Sequence, residues 1–475
     1  MQPAPQGPPK KKKRLSLYDD NGVVDLHAET VWDASKNVSQ WAVYQKSIGK
    51  ITYAQQIRWP LDGETYFPQD GGNSGFLEKK AILLPSEASG YGSESALLDE
   101  VQGFMRTYMV MPEEYYLLCA HYVLLTWLGD CFPALPYLRA RGDVGVGKRR
   151  YLQPIGSLCY CPIFASGATT ASPVFRIYEL YHRATFLFDE ADWDTRNDEN
   201  GEIIKILNFG YQKGAAVLRS VHDGDNVEPR AYDVFGPKLL ATRNVFADSA
   251  LESRCFTLGL RAEKDLDNTP ENVGLNFWRQ ATEIRNKLLM WRFHHFKIHD
   301  EIPNLDLPAI HPRLRMLMTP MIMTREHEES RQDLIAYLAT LNQDIQERRS
   351  MDLEAAILGA LLECVSDQAG LYAGPDCNVA VQDIANKMNE TRETEGEEKI
   401  STRKIHAVLK TRVNITVKRI GRKYVVVEDL DYIQRVASTF GLDDTPVAAI
   451  EVPAQAPEIQ PPVQGEFLEE PEGDG

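Results

Sequence analysis

The stretch Leu135-Pro-Tyr-Leu-Arg-Ala-Arg-Gly-Asp-Val-Gly-Val-Gly-Lys-Arg-Arg150 decides how the rest of the chain is interpreted. Its apolar start predicts a buried strand, and the glycines and the lysine that follow have the spacing of a P-loop. Glycines let backbone amides curl around phosphate oxygens, the helix that follows adds its positive dipole end, and the lysine reaches the terminal phosphates. The residues predicted to contact a nucleotide are Gly142, Gly145, Gly147, Lys148 and Arg149.

The residue after the P-loop lysine departs from this pattern. A P-loop has Ser or Thr there, whose hydroxyl ligates Mg²⁺, whereas Arg149 has no acceptor lone pair and its charge repels a cation. Two interpretations follow. Either Mg·ATP is bound with a water in place of the hydroxyl, or nucleotide is bound and hydrolysed poorly.

Three later segments carry polar groups at or beside predicted strands. Thr185-Phe-Leu-Phe is a buried-strand pattern that ends in Asp189 and Glu190, and carboxylates there can hold Mg²⁺ and orient a water. A further strand ends at Asn244, with Thr242 as a second candidate, where polar groups can sense a γ-phosphate. Arg254 lies just before another strand, in Glu252-Ser-Arg-Cys-Phe.

The order of these motifs resembles that of AAA+ ATPases over roughly residues 95 to 330. The P-loop and the segment around Arg254 look most like those of MCM-like, superfamily 3-like helicases from phages and mobile elements. The resemblance implies ATP and Mg²⁺ as cofactors, with Lys148 on phosphate, Asp189 on the metal, and Glu190 activating water. It further implies that Asn244 or Thr242 is sensor 1. Arg254 would be an arginine finger for the neighbouring subunit, which requires a homo-oligomeric ring, a hexamer.

Between the carboxylate strand and the sensor strand, two alternating runs surround an Asp-Gly turn at 223–224, which predicts a β-hairpin. In the resembled helicases a hairpin at this place lines the channel and grips DNA. The side chains predicted to contact DNA phosphates are Lys213, Arg219 and Arg230. The alternative is a solvated β-turn without a ligand.

The segment Lys399 to Val427 contains nine Lys or Arg and no acid, although the whole chain is acidic. Ser401 is placed to cap a helix that starts at Thr402, and a hairpin turning at Gly421 follows. With two helices before it, the segment resembles a winged helix, and a protein-binding winged helix is the main alternative to a DNA-binding one. The predicted DNA contacts are Arg403, Lys404, Lys410, Arg412, Lys418, Arg419, Arg422 and Lys423.

Composition bounds the remaining possibilities. The 475 residues carry 52 Lys+Arg against 68 Asp+Glu, a net charge of −16, with 43% hydrophobic residues. This is the composition of a globular protein, and it argues against one that coats nucleic acid with its whole surface. The sequence has no secretory or membrane-spanning pattern, and seven scattered Cys fit reduced thiols. We therefore predict no membrane partner and a cytoplasmic protein of a bacterial or phage-infected cell, with a nuclear location as the less favoured alternative.

The predicted fold class is α/β, an AAA+ P-loop NTPase core with a β-rich N-terminal module and a C-terminal winged helix. The expected boundaries are a disordered basic arm (1–14), the β-rich module (15–92), the ATPase domain with helical lead-in and lid (93–345), the winged helix (346–440) and a disordered acidic, Pro-rich tail (441–475). The expected function is an ATP-dependent, ring-forming DNA helicase or replication-initiation motor that works with DNA and replication proteins. The alternative is a nucleotide-binding DNA-binding initiator or regulator with weak or no hydrolysis, because of Arg149.

Overall fold

The structure is a computed structural model. It describes residues 12–70, 75–142, 148–165, 170–189, 191, 198–223, 226–243, 246, 248–260, 273–299, 312–324, 331–340, 353–367, 376–394, 399–411, 413–438, 440 and 442. The chain divides into two compact units, Met1–Asn342 and Gln343–Gly475. Each unit has its own elements and is treated by itself.

The strands are β1 (Lys12–Arg14), β2 (Ser16–Leu17), β3 (Leu26–Asp33), β4 (Val38–Gln45), β5 (Lys50–Ala54), β6 (Ile57–Arg58), β7 (Thr65–Pro68), β8 (Tyr137–Arg141), β9 (Ile163–Ala165), β10 (Phe186–Phe188), β11 (Ala216–Asp223), β12 (Asn226–Asp233), β13 (Lys238–Thr242), β14 (Cys255–Gly259), β15 (Asp376–Ala380), β16 (Val417–Ile420) and β17 (Lys423–Asp429). The helices are α1 (Glu94–Tyr108), α2 (Glu113–Trp127), α3 (Lys148–Leu158), α4 (Ala171–Leu180), α5 (Asp198–Phe209), α6 (Ser249–Glu252), α7 (Leu275–His295), α8 (Pro312–Met323), α9 (331–340), α10 (Leu353–Asp367), α11 (Val381–Thr394), α12 (Thr402–Thr411) and α13 (Leu430–Ser438).

The N-terminal part of the first unit contains two small β-sheets. An antiparallel sheet has the order β2-β3-β4-β5, and a three-stranded sheet has the order β1-β7-β6. Strand β1 lies within the arm that the sequence predicted to be disordered. Lys12 pairs with Glu64 at 3.2 Å and Lys13 with Asp70 at 2.6 Å, so carboxylates of this unit hold two of the arm's lysines.

The centre of the first unit is a parallel sheet with the order β14-β8-β13-β10-β9. The strand that ends at Thr242 therefore lies between the strand that leads into the P-loop and the strand that ends in the carboxylates. Helix α3 packs closely against this sheet, because a Cβ added at Gly156 would overlap the side chain of Leu187. The element order along the chain and the sheet order together make this an α/β fold with a parallel sheet.

One buried arginine joins the N-terminal sheet to the parallel-sheet region. Arg292 of α7 donates to Glu29 of β3 at 2.7 Å and to both oxygens of Asp130 at 2.7 and 2.6 Å. Tyr160 and His27 each add a hydrogen bond of 2.8 Å to Glu29. Burial alone would raise the pKa of Glu29, but the charge of Arg292 and the His27 hydrogen bond lower it. The β-rich segment is therefore packed into the first unit through a paired, buried charge cluster.

The second unit has its own hydrophobic core, built from α10, α11, α12 and one face of a small antiparallel sheet. The sheet order is β15-β17-β16, with β16 and β17 joined by a tight turn at Gly421, whose φ is 62°. Ser401 caps α12, since its Oγ accepts from the backbone amide of Lys404 at 3.3 Å. The structure contains the helix predicted to start at Thr402 and the hairpin predicted to turn at Gly421.

Candidate functional site

The P-loop strand and its helix meet at the carboxyl edge of the parallel sheet. Strand β8 ends at Arg141, the amide of Gly142 donates to the carbonyl of Thr242 at 3.1 Å, and α3 begins at Lys148. The Lys148 Nζ donates to the Gly142 carbonyl at 2.7 Å and so spans the ends of the segment 143–147. Gly145 and Gly147 lie outside the described residues, as does the side chain of Arg149.

Strand register brings the other predicted groups to this same edge. Phe188 pairs with Leu240, and Thr242 pairs with Arg141, so Asp189 and Thr242 both lie at the level where the P-loop starts. The amide of Asp189 donates to the Ala165 carbonyl at 3.1 Å, which keeps the residue in line with the strand end. Neighbouring strands are about 5 Å apart, so these residues lie near one another along the same edge of the sheet. Glu190 and Asn244 lie outside the described residues.

Thr242 is the residue at this edge whose surroundings most clearly indicate a ligand-binding site. Its side chain is fully buried, and its Oγ1 has no hydrogen-bond partner within the described part of the chain. A buried hydroxyl left without a partner costs roughly 1–3 kcal/mol, so a donor or acceptor is expected beside it when the site is in use. The donor set at this edge, a lysine, a carboxylate and a buried hydroxyl, fits a phosphate group with a hard divalent cation.

Arg254 lies at the amino-terminal edge of the sheet, opposite the carboxyl edge that carries the residues described above. Strand β14 runs parallel to β8 with Cys255 opposite Tyr137, and the Arg254 carbonyl accepts from the Tyr137 amide at 2.9 Å. Six residues of extended chain separate Pro136, which is level with Arg254, from Gly142, or roughly 20 Å at 3.3 Å per residue. The backbone of Arg254 therefore lies at the end of the sheet opposite to Gly142 and Lys148 of its own chain.

The surroundings of Arg254 include a residue that sequence reasoning missed. The Arg254 Nη1 donates to the Oδ1 of Asn208 on α5, and the guanidinium lies 4.5 Å from the centre of the Tyr211 ring. Arg254 is only 9% exposed, and its Nε has no partner among the residues described. Asn208 also donates to Asp248 at 2.6 Å, and Asp248 caps α6 by accepting from the Ala250 amide at 2.9 Å. Asn208 thus links the arginine to the helix that precedes it.

A second missed residue is Arg139, in the middle of β8. It is fully buried and makes a bidentate pair with Glu252, with one N–O distance of 2.6 Å, and it also donates to the hydroxyl of Thr257 at 2.7 Å. Glu252 lies two residues before Arg254 and also accepts from the amide of Phe246 at 2.9 Å. An arginine inside an otherwise apolar strand was the only signal of this contact in the sequence.

The hairpin predicted before the sensor strand is present as β11 and β12, but its cations face acids of the same unit. Arg219 pairs with Glu202 at 3.4 Å, and Arg230 pairs with Glu179 at 3.0 Å. Lys213 donates to the carbonyl of Asp130. The face turned away from these pairs carries Leu218, which is 76% exposed, with Ser220, Pro229 and Ala231, and at its base Asp233, which pairs with Arg183 at 3.0 Å.

The cations of the second unit are arranged differently. The exposed side chains at the start of α12, at its end and on the β16–β17 hairpin form no ion pair with any acid in the described ranges. These residues are Arg403, Lys404, Lys410, Lys418, Arg419, Arg422 and Lys423. Arg412 lies outside the described residues.

No helix in the described part of the chain has the length and apolar character needed to cross a bilayer. Nor do the described His, Cys, Asp and Glu residues come together in groups of three or more that would hold a metal by themselves.

Comparison with known proteins gives only distant likenesses. No family model and no curated protein matches the chain. The apo A form of the NrS-1 C-terminal region is 8% identical, with 84% of this chain and 96% of that chain covered and a TM-score of 0.34. The Aeropyrum pernix ORC1 protein in complex with DNA is 14% identical, with 72% and 96% covered and a TM-score of 0.22. Likenesses this weak carry no weight for function, which has to come from the residues themselves.

Proposed function

We propose that this protein is an ATP-hydrolysing AAA+ motor that acts on DNA, a ring-forming helicase or replication-initiation motor of a phage or mobile element. The observation that carries the proposal is the strand order of the parallel sheet. It gathers Gly142, Lys148, Asp189 and Thr242 at one edge and puts Arg254 at the other. A site divided in this way is complete only when a second copy supplies its Arg254.

The residues at the carboxyl edge suit Mg·ATP. When bound, ATP supplies the γ-phosphoryl group that is transferred to water. Lys148 has a cationic Nζ at the loop base to neutralise phosphate, and Asp189 offers carboxylate oxygens of the kind that Mg²⁺ prefers. The buried Thr242 hydroxyl gains the partner that it lacks. Glu190, next to Asp189, would orient the attacking water and accept its proton, with Asn244 as the alternative sensor.

Arg254 has the properties expected of an arginine that contacts a nucleotide bound to a neighbouring subunit. Its guanidinium has five N–H donors, and it is nine-tenths buried with its Nε unsatisfied among the described residues. Phosphate oxygens of a neighbouring subunit's nucleotide would satisfy these donors and stabilise charge that develops during phosphoryl transfer. We expect a homo-oligomeric ring, with a hexamer as the expected stoichiometry.

The proposal is tested by ATP turnover with and without single-stranded DNA, for wild type, Lys148→Ala and Glu190→Gln. We expect stimulation by DNA in wild type and loss of turnover in both variants. Mixing Lys148→Ala with Arg254→Ala subunits should restore part of the activity, because each variant supplies what the other lacks at a shared site. Turnover that is the same in all the variants would refute the motor.

The second candidate is a nucleotide-binding, DNA-binding initiator or regulator that hydrolyses ATP weakly or not at all. Arg149 in place of the P-loop hydroxyl favours it. Arg149→Thr separates the two candidates. A large gain in turnover supports the regulator, whereas loss or no change supports an active motor in which water replaces the hydroxyl.

A further inference from the structure

Two aromatic rings face each other between α12 and the β16–β17 hairpin. His406 of α12 and Tyr424 of β17 have ring centroids 4.6 Å apart with an interplanar angle of 35°. Tyr424 remains 49% exposed although it is an aromatic residue in contact with a second ring. A large part of the tyrosine surface is therefore open to a ligand.

Cations surround this aromatic pair on both sides. Arg403 and Lys410 are three residues before and four residues after His406, so they lie on the same face of α12. Arg419 is the register partner of Tyr424, so the two side chains point to the same face of the hairpin. All three cations are exposed and form no ion pair with an acid of the described chain. We call the surface formed by these five residues the stacking groove.

The chemistry of the groove fits a flexible polyanion with flat apolar rings. Single-stranded nucleic acid has both properties, since its phosphates seek cations and its bases stack on aromatic side chains. In a duplex the base faces are already covered by neighbouring bases, so an exposed tyrosine has little to stack on.

The exposed side of α12 offers cations but no amide side chain. Its exposed residues are Arg403, Lys404, Ala407 and Lys410. Asn and Gln are the usual readers of adenine in the major groove, and none is among these four residues. Arginine and lysine can contact guanine edges as well as phosphates, so the exposed Tyr424 ring is the feature that favours unpaired bases over a duplex.

We propose that the stacking groove binds unpaired nucleotides of single-stranded DNA. One base stacks on Tyr424, while Arg403, Lys410 and Arg419 contact the flanking phosphates. This inference rests on the DNA contact in the proposed function and specifies its ligand: the second unit holds separated strands and does not read a duplex groove.

The test measures binding of the full chain to three ligands of equal length at one salt concentration. They are an oligo-dT strand, a strand of abasic sites that keeps the phosphates, and a duplex. The variants are Tyr424→Ala, Tyr424→Phe and, as a matched control, Tyr53→Ala, which removes a 43% exposed tyrosine of β5 in the first unit. Thermal unfolding checks that each variant is folded.

We expect Tyr424→Ala to weaken oligo-dT binding about 5- to 150-fold, the range measured for loss of one stacked base. The abasic strand should bind wild type and Tyr424→Ala alike, and Tyr424→Phe should keep most of the wild-type affinity. A fourth variant, Arg403→Gln/Lys410→Gln, should weaken dT and abasic binding together.

Equal loss on the dT and abasic strands, or no loss on dT, would overturn the stacking groove. Preference for the duplex with no effect of Tyr424→Ala would overturn it as well, while leaving a DNA-binding function in place. If wild type bound none of the three ligands, the DNA part of the proposed function would fail together with the groove. The ATPase part would still be decided by the turnover assay.

Discussion

The hairpin of the first unit and the basic segment of the second unit both carry arginines on β-strands, but these arginines differ in whether they form ion pairs. Arg219 and Arg230 of the hairpin pair with Glu202 and Glu179. In the second unit, Lys418, Arg419 and Lys423 of β16 and β17 form no ion pair with an acid of the described chain. A basic pattern therefore indicates a nucleic-acid surface only when the fold leaves its charges unpaired.

The largest effect on stability should come from replacing Arg292, a buried cation that is paired with buried carboxylates. Arg292→Met leaves Glu29 and Asp130 buried without their partner, and removing one member of such a cluster costs about 3–5 kcal/mol. Urea unfolding should show this loss. The control is Arg279→Met on the same helix, because Arg279 is exposed and its ion pair with Glu283 is long, at 4.0 Å. Equal midpoints for the two variants would mean that the buried cluster does not stabilise the unit.

The next effect concerns the unpaired cations. The variant Lys418→Ser/Arg419→Ser/Lys423→Ser should lower DNA affinity roughly tenfold or more, and it should reduce the slope of log affinity against log salt by about 2. Stability should stay near that of wild type, since no ion pair is lost. An unchanged salt slope would show that these side chains do not contact phosphate, and would leave the protein-binding winged helix as the better interpretation.

Arg254 is a third kind of cation, buried but only partly paired, and Asn208 sets its position. Asn208→Ala should lower the turnover number about tenfold, near 1.4 kcal/mol, while ATP affinity stays the same, because the P-loop edge is untouched. In an Arg254→Ala background the same substitution should have no further effect. A full additional loss in that background would indicate that Asn208 acts through the fold as a whole.

The smallest effect should come from freeing the hairpin arginines. Glu179→Gln/Glu202→Gln removes their partners, and exposed pairs of this kind are worth only about 0.2–1 kcal/mol. We expect a severalfold gain in DNA affinity with little change in stability. If affinity is unchanged, the hairpin cations do not face DNA, and the opposite face of the hairpin, with the exposed Leu218, becomes the better candidate for contact with a ligand.

The strands that carry the candidate nucleotide site followed from local patterns. Apolar runs that end in polar residues predicted the strands before Asp189 and after Pro237, and parallel strands place such ends at one edge. Ser401 predicted the start of α12 because a cap acts within three residues. Both inferences depend on neighbours in the chain, which is why sequence reasoning reached them.

The contacts that sequence reasoning missed join distant parts of the chain. Arg139 meets Glu252, 113 residues away, and Arg292 meets Glu29, 263 residues away. Nothing near Asn208 marks it as the partner of Arg254. The same limit explains Lys12 and Lys13, which belong to a basic run in the sequence but pair with Glu64 and Asp70 in the fold.

The amino-acid sequence specifies the chemical groups of this protein and their order: the candidate P-loop, the carboxylate strand, the arginine before the last strand of the parallel sheet and the basic C-terminal segment. Which of these groups meet, and which of the charges are paired, is set by the folded structure. Strands and helices can be predicted from the short-range periodicity of the sequence. The pairing of a charge depends instead on distance and burial, and both are set by the folded chain.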